Sequence, residues 1–101
     1  MILYSITINI DNTIHKEWLE WMIKNYLPQQ KATGLFLETK ILRLLNEVHN
    51  EGVTYSFQYY LQSHKELDYY LEVHEDAIYS QLLEKYNNRF VEFRTTLEVV
   101  G

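Results

Sequence analysis

The stretch Val53 to Gln62 alternates almost without a break. Val53, Tyr55, Phe57, Tyr59 and Leu61 fall on one side, and Thr54, Ser56, Gln58, Tyr60 and Gln62 on the other. Successive side chains of a strand point to opposite faces, so the stretch predicts a strand with one strongly apolar face and one polar face. Its aromatic and β-branched content suits a central strand better than an edge. The rest of the chain must supply neighbours on both sides and a cover for one face.

The other elements read outward from it. Ile2 to Ile10 alternates as well, with Ile2, Tyr4, Ile6, Ile8 and Ile10 opposed to Leu3, Ser5, Thr7 and Asn9. Asp11-Asn12-Thr13 supplies turn and cap chemistry. Ile14, Trp18, Trp21/Met22 and Asn25 then recur at helical spacing and predict a helix from about Thr13 to Tyr26. Pro28 disfavours helical geometry at Leu27, so that helix is expected to stop or kink, with a further turn over Pro28 to Thr33 ended by Gly34. Leu35 to Leu45 predicts a second strand whose faces are too mixed to orient, as expected of an edge or a bulge. Asn46 to Gly52 is a polar loop, short enough for a hairpin into the strand at Val53. Ser63 and Glu66 have the spacing of a capping box. They open a helix that carries Leu67, Leu71, His74, Ile78 and Leu82 on one stripe, widened by Tyr70 and Leu83, and ends near Asn87-Asn88. Arg89 to Val100 is the last strand, with Val91, Phe93, Thr95, Leu97 and Val99 opposed to Glu92, Arg94, Thr96 and Glu98.

The order is β-α-β-β-α-β. Right-handed crossovers put both helices on one face of a four-stranded antiparallel sheet whose first and third strands are central. The expected architecture is therefore α+β, a ferredoxin-like plait occupying residues 1–101 as one domain. Its other sheet face has no cover and is expected to carry Ser5, Thr7, Asn9, Thr54, Ser56, Gln58, Tyr60, Glu92, Arg94 and Thr96. Such a face can be solvated, can bind nucleic acid, or can pack on a second copy and enclose a polar cavity.

Nucleic acid is disfavoured. The net charge is −5, and both nucleic acid and anionic membrane ask for a basic patch. The RNA-recognition version of this plait places a basic residue and a glycine before exposed aromatics on the third strand. Here Glu51-Gly52 precedes the strand, and Tyr55 and Phe57 lie on the covered side. No apolar run approaches the length of a membrane span, and Met1 to Ile10 reads as a strand and not a signal peptide. The chain has no cysteine and nine tyrosines. The first excludes a disulfide framework and a thiolate metal site; the second suits an interface or a half-polar cavity. A cytoplasmic homodimer joined through the sheet face is the expectation.

The chain also resembles a short bacterial family of unknown function. The likeness rests on M-I-L-Y at the start, W-L-E-W-M in the first helix, A-T-G-L-F before the second strand, G-V-T-Y-S-F-Q-Y in the third and F-V-E-F-R-T-T-L-E-V in the fourth. It spans nearly the whole chain. The resemblance implies the ferredoxin-like plait and similarity to the dimeric α+β barrel superfamily, which includes antibiotic-biosynthesis-type and haem-degrading monooxygenases. In one place the chain departs from the family: Tyr26-Leu27-Pro28 stands where the family has a histidine before isoleucine-proline.

The candidate site residues are Asn9, Ser56, Gln58, Tyr60, His74, Glu92 and Arg94. Asn9, Ser56, Gln58 and Tyr60 either line a polar pocket or fill an interface. Facing a cavity, Arg94 would hold a carboxylate in a bidentate bond and Glu92 would serve as a base; the competing reading pairs them with neighbours or with the second copy. By resemblance, Asn9 and His74 match an asparagine and a helix histidine of the haem-degrading enzymes, but both tryptophans, Trp18 and Trp21, sit in the first helix instead. His15, His49 and His64 have no metal-ligand spacing, and with three glycines no phosphate loop can be built. No metal and no cofactor are expected. The leading reading is a dimer that binds a small ligand or a protein partner on the uncovered face. The alternative is a cofactor-independent monooxygenase or isomerase acting on a small aromatic or quinone-like molecule, which requires a cavity of a few hundred Å³ on that face. A third reading places a regulatory ligand near Asn46 to Gly52.

Overall fold

The computed structural model describes residues 1–46 and 52–101. Four antiparallel strands, β1 (Ile2–Ile10), β2 (Glu38–Arg43), β3 (Val53–Leu61) and β4 (Phe90–Glu98), form one sheet in the order β2-β3-β1-β4. β1 and β3 are central, as their period-two patterns predict. Residue for residue, Ile2, Tyr4, Ile6, Ile8 and Ile10 of β1 lie opposite Leu61, Tyr59, Phe57, Tyr55 and Val53 of β3, and all ten are buried. Burying two full faces of this kind, at about 25 cal/mol per Å² of apolar surface, is the main source of cohesion.

The first helical arm runs from His15 to Lys31 without a stop at Pro28. It is wound as α1 (His15–Trp21), a π-turn (Met22–Tyr26) and α2 (Leu27–Lys31). Trp18, Met22, Tyr26 and Gln30 recur every fourth residue and are all buried. On an α-helix such a line drifts by about 40° per step, and the wider π-turn brings it back over the sheet. The same turn lies where the Pro28 ring would otherwise meet the Lys24 carbonyl. Asn25, expected on the inner stripe, is exposed. Gly34, at φ 74°, ends the arm as expected.

The second arm breaks once. α3 (His64–Val73) and α4 (Glu75–Tyr86) meet at His74, whose φ of −111° departs from helical geometry. The inner stripe is Leu67 and Tyr70 before the break and Glu75, Ile78, Leu82 and Tyr86 after it. Leu71 and Leu83, expected on that stripe, are exposed. Among the described residues, no helix is long and apolar enough to cross a membrane.

Candidate functional site

The sheet register decides where each candidate residue lies. Thr7 of β1 lies opposite Phe93 of β4, and Ile6 opposite Arg94. Arg94, Glu92 and Thr96 therefore share the helix-covered face with Ile6 and Ile8, while Val91, Phe93 and Leu97 share the open face with Leu3, Thr7 and Asn9. The expected orientation of β4 is thus reversed. β4 is an edge strand, and its charged side chains face the second helical arm, where Glu75 and Tyr79 supply partners for Arg94 and Glu92.

The unresolved strand falls into place by the same logic. Ile41 lies opposite Phe57, and Leu42 opposite Ser56, so Thr39, Ile41 and Arg43 face the helices and Glu38, Lys40 and Leu42 face out. The open face then reads in rows across the sheet. Leu42, Ser56, Thr7 and Phe93 form one row, and Lys40, Gln58, Ser5 and Thr95 another. Leu44, whose N–H donates to the Thr54 carbonyl at 2.9 Å, continues with Thr54, Asn9 and Val91. The face is a polar central strip between two apolar margins. Phe93 and Val91 are 63% and 69% exposed, and Leu42 and Leu44 about half exposed.

Four of the seven candidates, Asn9, Ser56, Gln58 and Tyr60, lie on this strip. Asn9 donates from Nδ2 to Thr54 Oγ1 at 3.0 Å, and its side chain lies so close to Gly52 that a Cβ there would come within 2.4 Å of Oδ1. Ser5 and Ser56 share a hydroxyl–hydroxyl bond at 3.3 Å. Tyr60 lies under the Lys40 ammonium, 5.7 Å from the ring centre. Two adjoining hollows open on the strip. One, of about 320 Å³, is lined by Thr7, Leu42, Arg43, Leu44, Thr54 and Ser56. The other, of about 170 Å³, is lined by Thr7, Asn9, Thr54, Val91, Glu92 and Phe93. Together they make a trough floored by hydroxyl and amide groups and walled by apolar side chains. The Thr7 hydroxyl makes no hydrogen bond to a described residue.

The remaining candidates lie on the other side of the sheet. Arg94 donates to Glu75 at 2.6 Å, to Tyr4 Oη at 2.8 Å and to Glu92 at 3.1 Å. Tyr79 donates to Glu92 at 2.6 Å and lies with its ring 4.8 Å from the guanidinium carbon. Arg94 and Glu92 thus pair within the chain, and the guanidinium is occupied. Burial pushes the Glu75 carboxyl above its ordinary range against the pull of Arg94. Burial also works against the Arg94 charge, but Glu75, Tyr4 and Glu92 outweigh it and raise the guanidinium pKa. Burial and then Glu92 push the Tyr79 phenol up to about 12. His74 sits half-buried at the α3–α4 joint between the rings of Tyr69 and Tyr70, at 5.8 and 6.2 Å, on the opposite side of the sheet from Asn9. The pairing expected of a haem-degrading site is not brought together.

Glu75 and Gln30 are polar residues that the alternation did not point to. Gln30 is fully buried, accepting from Tyr59 Oη at 2.8 Å and donating to Tyr70 Oη at 3.1 Å. Burial raises both phenols well above their ordinary values. Residues 47–51, which include His49 and most of the loop considered for a regulatory ligand, lie outside the described residues.

The register, the helical cover on one face and the bare opposite face define a ferredoxin-like α+β plait. The chain belongs to the family described as a domain of unknown function (DUF4286), which matches residues 1–100. No curated protein matches it. Among solved structures it is similar to a dimeric ferredoxin-like protein from an uncultured marine organism, with a TM-score of 0.73 and 12% identity over 99% of this chain and 95% of that one. It is also similar to an antibiotic biosynthesis monooxygenase, with a TM-score of 0.70 and 12% identity over the whole of both chains. A third similar structure is MhuD with two manganese protoporphyrin IX groups bound per active site, with a TM-score of 0.71 and 17% identity over 99% and 94% of the two chains. At these identities the likeness is one of fold.

Proposed function

We propose that the chain works as a homodimer in the bacterial cytoplasm, packed sheet to sheet, and that the trough on the open face binds a small ligand between the two copies. The observation that carries this reading is the layout of the open face, a polar strip between apolar margins that no described part of the chain covers. Four strands about 4.8 Å apart, three of them nine residues long and β2 six, give a face of roughly 15–20 Å by up to 30 Å, on the scale of the ~800 Å² per partner of a stable interface. Packing the margins of two copies together would desolvate Leu42, Val91 and Phe93 and roof the trough. Among the described residues its floor offers hydroxyl and amide groups without a carboxylate or an imidazole. Glu92 contributes to its wall, but its carboxylate is turned away and held by Tyr79 and Arg94. That inventory recognises a ligand by hydrogen bonds and supplies no general acid or base, which favours binding over catalysis.

A thermal-shift screen against a panel of small polar metabolites, repeated on Thr7→Val and Ser56→Ala, tests the ligand. A hit that disappears in either variant supports the trough, and hits indifferent to both refute it.

The second reading is a cofactor-independent monooxygenase or isomerase acting on a small aromatic or quinone-like molecule. It is favoured by the hollows on the open face and by the fold shared with an antibiotic biosynthesis monooxygenase. Oxygen uptake with hydroquinone-type substrates, lost in Asn9→Ala, would support it. The absence of turnover across the panel would reject it.

A further inference from the structure

β4 closes one side of the sheet, and its outer backbone edge is bare. The Asp11 N–H donates to the Arg89 carbonyl at 3.0 Å, and the Val99 N–H to the Met1 carbonyl at 2.9 Å. With Asn9 opposite Val91 and Leu3 opposite Leu97, these two bonds set the parity of the ladder. Antiparallel pairs alternate between bonded and unbonded positions. Val91, Phe93, Thr95 and Leu97 therefore turn their N–H and C=O groups to β1, and Phe90, Glu92, Arg94, Thr96 and Glu98 turn theirs outward. Among the described residues nothing bonds to those outward groups.

The edge is also unguarded. Edge strands are normally blunted by shortness, charge, proline or a bulge. β2, the opposite edge, is six residues long and carries Glu38, Lys40 and Arg43. β4 is nine residues long and has no proline, and it pairs with β1 without a bulge from Phe90 to Glu98. Val91, Phe93 and Leu97 lie exposed along it, and its central charges, Glu92 and Arg94, are held by each other at 3.1 Å. Such an edge is a template for another strand.

We propose that this edge recognises a second copy of itself, in an antiparallel two-fold pair centred on Phe93 that joins two four-stranded sheets into one. The strand is complementary to itself in that register. Glu92 stands opposite Arg94 of the second copy, and Arg94 opposite its Glu92, so that the four charges alternate on the helix side. Phe93 meets Phe93 on the open face. The outward groups of Phe90, Glu92, Arg94 and Thr96 all pair, two bonds to each facing pair. Other registers do worse. Centring on Glu92 or Arg94 sets like charges face to face, and centring on Thr95 sets Glu92 against Glu98. Centring on Thr96 matches Arg94 with Glu98 but leaves Phe90 and Glu92 outside the paired strands. The joint lies in the plane of the sheet, whereas the packing proposed above is perpendicular to it, so neither depends on the other. One strand-to-strand joint falls short of the ~1,200 Å² at which stable interfaces begin, and the association is therefore a concentrated-solution one.

The test is amide hydrogen exchange of the full chain, read by two-dimensional NMR at micromolar and at millimolar concentration, with the solution mass from light scattering at both. At the lower concentration the amides of Phe93 and Thr95 should be protected by β1, and those of Glu92, Arg94 and Thr96 should exchange freely. At the higher one the outward amides should become protected and the mass should double. Thr96→Pro deletes an outward N–H and no bond to β1. It should keep Phe93 and Thr95 protected and move the association to at least about tenfold higher concentration, the scale of two lost backbone bonds. Edge pairing is ruled out if the wild type's outward amides exchange equally fast at both concentrations, or if folded Thr96→Pro associates like the wild type. A wild type that is a single chain at micromolar concentration, and two chains with protected outward amides at millimolar, would refute the sheet-to-sheet dimer and uphold the edge. Two chains at both concentrations with freely exchanging outward amides would do the reverse.

Discussion

Replacing Arg94 by methionine removes the cation that holds Glu75. In the folded chain the Arg94 side chain is 27% exposed and Glu75 9% exposed, with 2.6 Å between them. The other Glu75 oxygen, Oε1, is buried without a partner among the described residues. Methionine keeps the apolar stem but strands the Glu75 charge and leaves Tyr4 Oη without its donor. Breaking a buried pair by removing one member costs about 3–5 kcal/mol. With Arg94 partly exposed, we expect about 3 kcal/mol, a large share of the 5–15 kcal/mol that a domain of this size possesses. The deficit should depend on pH. Burial already raises the Glu75 carboxyl, and loss of Arg94 raises it further. A group whose folded pKa is raised contributes stability that is complete below its unfolded pKa and is lost as pH rises through the folded one. Arg94→Met should therefore be weakest relative to the wild type near neutrality and recover as pH falls toward the ordinary carboxylate range. Glu75→Gln should rescue part of the loss in the double variant. Urea unfolding at fixed protein concentration, from neutral to mildly acidic pH, measures all three effects. A neutral-pH deficit below about 1 kcal/mol, the scale of an exposed pair, or one that grows with acid, would refute the reasoning.

That cluster also marks where the sequence stopped being readable. Alternation made the central strands plain because β1 and β3 are apolar on one side only, and each fully buries that side. For β4 the alternation was equally clear, but period two gives two faces and does not say which is covered. Val91, Phe93 and Leu97 read as core by hydropathy, although they lie exposed on the open face. Gln30 stayed hidden because Pro28 pointed to a helix end. Had the four-residue spacing of Trp18, Met22 and Tyr26 been followed through the proline, it would have led to Gln30. No pattern singled out Glu75, because the break at His74 resets the helical phase. Asn9, Ser56, Gln58 and Tyr60 were legible as a polar strip on the uncovered face; which of them border a hollow depended on neighbours from β2 and β4.

Gly52 has a φ of 149°, and a Cβ there would lie 2.4 Å from Asn9 Oδ1 and 2.8 Å from the Ile10 carbonyl; Gly52→Ala should cost about 1–3 kcal/mol by urea unfolding. Gln30→Leu removes the partner of two buried phenols and should cost about 2–5 kcal/mol, most of it recovered in a triple variant that also carries Tyr59→Phe and Tyr70→Phe. Tyr86→Phe should leave stability unchanged or raise it by about 1 kcal/mol, since it deletes a buried hydroxyl that bonds to no described residue; a clear loss on thermal unfolding would show that the hydroxyl has a partner.

The sheet-to-sheet dimer is tested most directly by the solution mass of the wild type and of Phe93→Glu at micromolar concentration, by size-exclusion with light scattering. Phe93 sits in mid-strand on the open face, 63% exposed, where a carboxylate is harmless to a lone chain and disruptive in a packed apolar margin. The account predicts twice the chain mass for the wild type and a folded single chain for Phe93→Glu. A monomeric wild type, or a dimer that keeps its mass with glutamate at position 93, would contradict it.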